Sequence, residues 1–313
     1  MHEEITIPEL TEVVARVTAL LGPREGSVVQ LEGGITNRNF RVKFGGTDYV
    51  VRLPGKRTKI LGIDRTAECI ANKAAAGLGM APGVAAMFEE PSCLVTMFVN
   101  GREMTAEELR APDVLSEVAR DLRRFHDSGT ELPTDFDSFR LVEEYAESGR
   151  ANGSEPPEGY DDALAAAHTI EKAVRKLDDH QPIPAHNDLL TANFLRDSGG
   201  PIQLIDWEYA GMGDRWFDLG NFAVNNELDE AQEAALLAAY FESPASGRRL
   251  ASLQLMRFMS DFREAMWGAV QSTISDLDFD FADYCAKHFE RMRESADEGR
   301  LEALLEEAAG AAS

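Results

Sequence analysis

The chain has few cysteines, no long apolar run and no recognisable export signal. Its three cysteines lie far apart among apolar or aromatic neighbours, so we expect buried free thiols and neither disulfides nor a metal site built from cysteine. No stretch approaches the 18 apolar residues of a membrane-spanning helix, and the first ten residues lack the basic and apolar parts of a signal peptide. We therefore expect a cytoplasmic protein without membrane insertion. The three cysteines are Cys69, Cys93 and Cys285.

Positive charge is also scarce. Lysine and arginine number 31 against 55 aspartate and glutamate residues, which leaves a formal net charge of −24. Such a charge argues against nucleic acid or an anionic membrane surface as a partner. It is compatible with a cationic substrate, although a solvated acidic surface is the simpler explanation.

What the chain does have is the size and composition of a folded protein. Its 313 residues suffice for one large or two modest domains, and 44% of them are hydrophobic. The most informative stretch, residues 185–206, reads as a polar loop followed by a β-hairpin whose turn is the Asp-Ser-Gly-Gly of residues 197–200. The hairpin holds Asp188, Asn193 and Asp206 close together. Oxygen ligands of this kind suit Mg²⁺.

The order of these residues is that of a kinase. The kinase signature H-R-D-x-x-x-x-N contains an Asp that accepts the proton of the substrate hydroxyl and an Asn that binds metal. The sequence H-N-D-L-L-T-A-N keeps this spacing, and Asp206 stands where a second magnesium-binding Asp is expected. The stretch therefore predicts a phosphotransferase in which Asp188 is the base and Asn193 and Asp206 bind the metal.

The N-terminal part predicts a small sheet that binds a nucleotide. A helix over 8–21 is followed by strands over 28–31 and 39–44, joined by a glycine-rich turn. Strand, glycine-rich turn and strand form the shape of a phosphate-covering loop, although taken alone the turn is simply a hairpin turn. We expect the loop to hold the γ-phosphate through Gly33, Gly34, Thr36 and Asn37.

A cation and a carboxylate follow at the spacing that kinases use. Arg52 lies on a predicted third strand over 48–53, and Glu68 lies in the first turn of a predicted helix over 66–78, where it can face Arg52. In kinases such a cation pairs with ATP phosphates and with a Glu on the next helix, whereas a surface salt bridge is the alternative. A further strand pair over 83–89 and 92–99 would place adenine against the backbone near Met97 and Val99.

The chain then becomes mainly helical. We predict a boundary at Asn100-Gly101, with a nucleotide-binding lobe over 1–100 and a catalytic and substrate-binding lobe over 101–313. The helix over 114–126 ends at His126, which we expect to be a core or helix-end residue. The composition of residues 148–159 predicts a mobile loop. Further helices are predicted over 161–178, 215–225, 230–241, 250–272 and 279–293.

With these residues in hand, the chain resembles the choline/ethanolamine kinases within the aminoglycoside-phosphotransferase-like group. H-x-D-L-x-x-x-N-F with a following hydrophobic-Asp pair is shared by the whole group. I-D-W-E-Y-A-G running on to F-D-L-G-N, with Arg at position 52, is more characteristic of the choline and ethanolamine branch. The resemblance covers nearly the whole chain and is carried by LEGGITNRNFRV, DYVVRLPG, HNDLLTANF, LIDWEYAGMGDRWFDLGN and REAMWGAVQ.

The resemblance implies an α+β, bilobal protein-kinase-like fold that uses ATP and Mg²⁺ to phosphorylate choline or ethanolamine. It assigns Glu208 to the vicinity of metal and substrate, and Asp218 to a buttress of the catalytic loop, although Asp218 could equally cap a helix. An aromatic enclosure for the quaternary ammonium would consist of Tyr209, Trp267 and Tyr284.

The sequence departs from the family pattern in two places. Some relatives have an acid near the end of the F-D-L-G-N helix, where this chain has Asn225-Asn226, and some carry a second Trp where it has Val270. Other acceptors therefore stay open, namely an aminoglycoside, thiamine or another amino alcohol. A catalytically silent binding protein of the same fold, the nucleotide preference and a homodimer also stay open.

Overall fold

The computed structural model describes residues 7–32, 37–55, 58–177, 180–197, 199–275, 277 and 279–310. The chain forms two compact units, each of two segments. The first unit comprises Met1–Arg102 and Phe194–Glu208, and the second comprises Glu103–Asn193 and Tyr209–Ser313. The structural division thus falls two residues after the boundary proposed from sequence and assigns the hairpin that follows the catalytic loop to the first unit.

The described part of the chain is an α+β structure, as the sequence predicts. The strands are β1 (Arg24–Leu31), β2 (Asn37–Phe44), β3 (Thr47–Pro54), β4 (Val84–Phe88), β5 (Cys93–Met97), β6 (Arg102–Glu103), β7 (Ile183–Ala185), β8 (Phe194–Arg196), β9 (Ile202–Leu204) and β10 (Gly211–Gly213). The helices are α1 (Pro8–Leu21), α2 (Arg65–Gly77), α3 (Ala106–Leu109), α4 (Pro112–His126), α5 (Ser138–Ala151), α6 (Tyr160–Val174), α7 (Arg215–Asn225), α8 (Glu230–Phe241), α9 (Gly247–Ile274), α10 (Phe281–Ser295) and α11 (Glu298–Ala308).

The first unit is built on an antiparallel sheet of order β1-β2-β3-β5-β4. Strand β2 shows why the sheet forms, because every second residue from Phe40 to Phe44 is buried while its neighbours are not. This buried face packs against Leu10, Val13 and Val17 of α1. Strand β3 lies in the middle of the sheet, and Arg52 pairs there with Asn39 of β2 and Leu94 of β5.

Helix α2 begins directly after its N-terminal capping residue, Asp64. The side chain of Asp64 accepts hydrogen bonds from the backbone amides of Thr66 and Ala67, both at 2.8 Å. The cap fixes the first turn of the helix, so the side chain of Glu68 projects from that turn and is buried.

The second unit is a helical assembly around α9, which is 28 residues long and mostly buried. Helices α5, α7, α10 and α11 pack against it. The contact with α7 is close because of Gly220: a Cβ atom at that position would lie 2.7 Å from the backbone carbonyl carbon of Met256. The glycine therefore brings α7, which follows the catalytic loop, directly onto the long helix.

Some sequence predictions need correction. The loop predicted over 148–159 begins later, because α5 continues to Ala151. Helices α5 and α11 were not predicted from sequence, although Asp137 caps the first and Asp297 the second. The predicted burial of all three cysteines is confirmed. Within the described residues, no helix is long and apolar enough to cross a membrane.

Candidate active site

The catalytic loop is held by a buried carboxylate of α7. Asp218 accepts hydrogen bonds from the backbone amides of His186 at 2.8 Å and Asn187 at 2.7 Å. Sequence left two roles open for Asp218, and the cap of α7 is instead Asp214, which accepts from the amide of Trp216. Asp218 therefore buttresses the loop, as the resemblance implied.

A histidine completes this support. His126, the last residue of α4, is buried and lies 3.0 Å from Asp218 through Nε2 and 2.7 Å from the hydroxyl of Tyr240 through Nδ1. Burial by itself would raise the pKa of Asp218, but the hydrogen bond and charge of His126, with His186 nearby, lower it overall. The structure thus places His126 in the core, as expected, and keeps Asp218 ionised.

Asp188 and Asn193 meet in the same loop. The side-chain nitrogen of Asn193 donates to the backbone oxygen of Asp188 at 2.8 Å and to its carboxylate at 3.3 Å. The amide oxygen of Asn193 is therefore the atom it would present to a cation. This pairing fixes the orientation of the two side chains relative to each other.

In the first unit, Arg52 brings two carboxylates together. One nitrogen of its guanidinium donates to Glu68 at 2.8 Å and to Asp206 at 2.6 Å. The predicted pairing of Arg52 with Glu68 is thus present in the structure. Burial would lower the pKa of Arg52, but Asp206 and Glu68 raise it overall, so the side chain remains a cation.

A second guanidinium, from Arg65, extends this cluster. It donates to Glu68 at 2.7 Å, to Glu208 at 3.2 Å and to the side-chain oxygen of Asn37 at 3.0 Å, and Asn37 in turn donates to Glu208 at 2.9 Å. Burial, followed by the nearby charge of Asp206, raises the pKa of Glu208. Sequence reasoning missed Arg65, although its position three residues before Glu68 on the first turn of α2 was a signal for a second cation.

The other residues predicted to bind the nucleotide lie only partly within the described residues. Gly33, Gly34 and Thr36 lie outside the described residues, whereas Asn37 belongs to the cluster above. Met97 ends β5 with its side chain 49% exposed, and Val99 follows it with partial exposure. A contact of adenine with these two residues stays a prediction.

The three aromatic residues predicted to enclose a substrate ammonium lie together in the second unit. The indole nitrogen of Trp267 donates to the hydroxyl of Tyr209 at 2.7 Å, and the rings of Trp267 and Tyr284 meet edge to face with centroids 5.5 Å apart. Tyr209 and Trp267 are buried and Tyr284 is partly buried. The group is therefore a contiguous aromatic cluster.

A buried ion pair on α9 adjoins this cluster and was not predicted. Arg263 pairs with Glu264, lies 3.6 Å from the carboxylate of Asp188, and covers the ring of Tyr209 at 4.3 Å from its centroid. Tyr284 donates its hydroxyl proton to Glu264 at 2.8 Å. Burial and then Glu264 raise the pKa of Tyr284 well above its usual value, so the hydroxyl stays a donor. Two adjacent charged residues within the apolar segment around Trp267 were the available signal.

The two sequence departures are also explained. Asn226 is fully buried and its side chain donates to the backbone oxygen of Phe222 at 2.9 Å, so it serves the end of α7. Val270 is fully buried too. Neither position supplies a charge, and the acidic group next to the aromatic cluster comes from Glu264 instead.

Comparison with known proteins places these features in a family. Residues 27–253 match the sequence profile of the phosphotransferase enzyme family. Ethanolamine kinase 2 of Rattus norvegicus is 28% identical over 320 residues, which cover 92% of this chain and 81% of that protein. The resemblance to the choline/ethanolamine kinases expected from the motifs is thereby confirmed.

Solved structures agree on the fold. A choline/ethanolamine kinase family protein from Mesorhizobium loti superposes with a TM-score of 0.81 at 26% identity, covering 96% of this chain and 99% of that one. A structure of LicA in complex with AMP gives a TM-score of 0.75 at 24% identity, covering 94% of this chain and 98% of that one. The kinase-like α+β fold predicted from sequence is confirmed by these similarities.

Proposed function

Because the chain belongs to the phosphotransferase enzyme family, we propose that it transfers the γ-phosphoryl group of ATP to the hydroxyl of choline or ethanolamine. The observation that carries the proposal is the arrangement in the second unit, where Asp188 adjoins an aromatic cluster and the carboxylate of Glu264. The likeness to ethanolamine kinase 2 and to the choline/ethanolamine kinase family protein supports the same acceptor class.

ATP would be bound by the cation cluster of the first unit. Arg52 and Arg65 are the two cations of this cluster, and guanidinium groups bind phosphate oxygens with two parallel hydrogen bonds. The complex of a similar protein with AMP supports a nucleotide as the second substrate. The predicted contributions of Gly33, Gly34 and Thr36 belong to this proposal.

Both predicted metal ligands are of the donor type that suits magnesium. Asp206 offers a carboxylate whose side chain is 18% exposed, and Asn193 offers an amide oxygen, so both are hard oxygen ligands. Bound Mg²⁺ would supply charge neutralisation at the phosphates. Arg52, which pairs with Asp206 in the structure, adds a fixed positive charge for the same purpose.

Asp188 then acts on the acceptor. Its carboxylate would accept the hydroxyl proton of the alcohol as the oxygen attacks the γ-phosphorus, and the bond from that phosphorus to ADP breaks. Asn193 and the amides held by Asp218 keep the carboxylate in position. Phosphoryl transfer depends mainly on such positioning and on charge neutralisation.

The charges of the second unit favour a cationic acceptor. The carboxylates of Asp188 and Glu264 stand against the single guanidinium of Arg263, and aromatic rings surround them. A surplus of negative charge beside aromatic faces is the environment that binds an ammonium group.

The test is an ADP-release assay with Mg-ATP across choline, ethanolamine, its methylated derivatives and an aminoglycoside. We expect turnover with the amino alcohols and, in Asp188→Asn, a loss of kcat of about 100-fold or more with ATP affinity unchanged. Asp162→Asn, a change on the exposed face of α6, is the control. Nucleotide binding without turnover of any alcohol would favour the silent binding protein.

A further inference from the structure

Two adjacent charged residues in the middle of α9 stand out because the helix is buried around them. Arg263 is 1% exposed and Glu264 is 2% exposed. Burying charges costs free energy unless hydrogen bonds and partners compensate it, and hydrophobic residues of similar volume are often at least as stable. A pair of this kind therefore suggests a role beyond stability.

One nitrogen of Arg263 joins two carboxylates. Nη1 is hydrogen-bonded to Glu264 and lies 3.6 Å from an oxygen of Asp188. Because two sides of a triangle bound the third, the two carboxylate oxygens lie within about 6.8 Å of each other for any normal hydrogen-bond length up to about 3.2 Å. The guanidinium thus sets the spacing between the proposed base and a second carboxylate.

Part of this guanidinium has no hydrogen-bond acceptor among the described residues. Among the residues that the structure describes, the buried Nε and Nη2 atoms of Arg263 find none. Buried donors without an acceptor are uncommon in folded proteins and are costly. An oxygen atom of a bound ligand would satisfy one of them.

Glu264, by contrast, is firmly oriented. One oxygen is bonded to Arg263 and the other accepts the hydroxyl proton of Tyr284, whose ring adjoins Trp267. The carboxylate therefore lies at the edge of the aromatic cluster. It is available where an ammonium group over those rings would be.

Resting on the proposed function, the geometry points to Glu264 as the residue that binds the cationic nitrogen of the acceptor, with Arg263 as a positioning residue that fixes its distance from Asp188. The acceptor class is a two-carbon amino alcohol, whose nitrogen lies about 3–4 Å from its oxygen. Such a molecule places its hydroxyl at Asp188 and its nitrogen at Glu264 within the available spacing. Its oxygen can also accept from Arg263.

The first test separates charge recognition from structure. Glu264→Gln keeps the shape and an acceptor for Tyr284 but removes the negative charge. We expect kcat/KM for choline to fall by about 10- to 100-fold, because the variant removes a close attraction between opposite charges in a buried site. The neutral isostere 3,3-dimethylbutanol, in which carbon replaces the ammonium nitrogen, should lose little, and KM for ATP should not change.

The matched control is Glu233→Gln. Glu233 is another fully buried carboxylate that pairs with an arginine of α9, Arg257, and it has no part in the proposed site. We expect this variant to lose thermal stability without any change in the ratio of kcat/KM between choline and the isostere. An equal loss for both alcohols in Glu264→Gln would overturn the inference. Absence of turnover with every amino alcohol in the wild type would instead overturn the proposed function.

The second test addresses Arg263. Arg263→Lys keeps the charge but not the planar fork, whereas Arg263→Met removes both. We expect the wild type to prefer ethanolamine over amino alcohols with three or four carbons, the lysine variant to lose part of this preference, and the methionine variant to lose most of it. Variants with reduced turnover but an unchanged chain-length preference would show that Arg263 does not set the spacing.

Discussion

At the scale of single residues, two guanidinium groups each bring two carboxylates together. Arg52 bonds to Glu68 and Asp206 in the first unit, and Arg263 contacts Glu264 and Asp188 in the second. Each guanidinium therefore holds the carboxylate of a proposed metal ligand or base, Asp206 or Asp188, next to a second carboxylate. Removing either arginine should therefore lower activity more than removing a surface ion pair would.

The first prediction concerns Arg52. Arg52→Ala should raise KM for ATP and lower kcat, because it removes a fixed cation at the proposed phosphate site and one partner each of Glu68 and Asp206. Glu68→Ala should act in the same direction but more mildly, since Arg65 also binds Glu68 and would remain. The measurement is steady-state kinetics over a range of ATP concentrations.

The control for this prediction is Arg41→Ala. Arg41 forms a two-bond pair with Asp48 on the same sheet, but its side chain is 40% exposed. A surface pair contributes little to stability, about 0–1 kcal/mol, and no kinetic change is expected. If Arg52→Ala lowers only the melting temperature and retains its kinetics, the phosphate role of Arg52 is wrong.

The second prediction concerns Trp267. Trimethylammonium cannot donate N–H hydrogen bonds, so choline should depend on aromatic faces more than ethanolamine does. Trp267→Leu should raise KM for choline by about 2- to 30-fold, the equivalent of one desolvated cation–π contact, and affect ethanolamine less. The change also removes the donor to Tyr209, so KM for both alcohols must be compared with that of a matched variant.

Trp216→Leu serves as that variant. Trp216 is a buried tryptophan of α7 that packs against Phe241, and it is absent from the proposed substrate site. The Trp216→Leu variant should lose stability, but it should not change KM for one alcohol more than for the other. An equal rise for both alcohols in Trp267→Leu would make Trp267 a packing residue.

At the scale of elements, helix α7 positions the catalytic loop. The carboxylate of Asp218 accepts hydrogen bonds from two backbone amides of the loop, and Gly220 permits close contact between α7 and α9. The residue that caps the helix is a different one, Asp214. Within the loop, Asn187 adopts a left-handed conformation with φ of 65°. The geometry of Asp188 therefore depends on a helix that begins 27 residues later.

The third prediction follows from this dependence. Asp218→Asn replaces an acceptor of two amides and a histidine by a group that also donates, so we expect a loss of about 3–5 kcal/mol in the free energy of unfolding, as for a broken buried pair. Turnover should fall as well, because the loop loses its support. Denaturant unfolding and kinetics of the folded variant measure the two effects.

The pH dependence of that loss has a definite sign. The pKa of Asp218 is lowered in the folded state, so its contribution is complete above the unfolded value of about 3.9 and declines as the pH falls through the folded value. The difference between wild type and Asp218→Asn should therefore be larger at pH 7 than at pH 3, on either side of the isoelectric point of 4.6. A difference that grows toward pH 3 would contradict this assignment. Asp214→Asn, which keeps a capping side chain, should change little.

At the scale of the whole molecule, charge is the dominant feature. A net charge of −24 creates repulsion that opposes the compact state. Many individual ion pairs are present, but those at the surface are worth little and cannot balance this excess. Ionic strength should therefore control stability.

The fourth prediction is that the melting temperature rises as salt increases from 0.02 to 0.2 M. Added salt shortens the screening length to below about 10 Å and weakens the repulsion. A gain of 1 kcal/mol corresponds to a rise of about 2–4 °C for a domain of 150–250 residues. Differential scanning fluorimetry in NaCl and in KCl should give the same rise, since screening depends on ionic strength alone. A falling melting temperature would contradict the prediction, because it would mean that salt weakens attraction between exposed charges more than it weakens the net repulsion.

Local features of the sequence determined most elements and the catalytic motif. Pro8 at the start of α1 and Gly22 after its end mark that helix, and the spacing of Asp188 and Asn193 predicted their meeting in one loop. Signals of this kind involve residues a few positions apart, so they can be read without knowing the fold.

The tertiary structure alone decided which distant side chains share a site. Arg52 and Asp206 are 154 positions apart, and Asn37 and Glu208 are 171 apart, yet each pair is hydrogen-bonded. Arg65, Arg263 and Glu264 were not predicted as site residues, and their roles also depend on partners from other elements, such as Glu208, Asp188 and Tyr284. Asp218 could have been a cap or a buttress, and only the position of the loop amides distinguishes the two. The physical reason is that the role of a charged side chain depends on the groups that surround it once it is buried. The order of residues in the chain does not specify those groups.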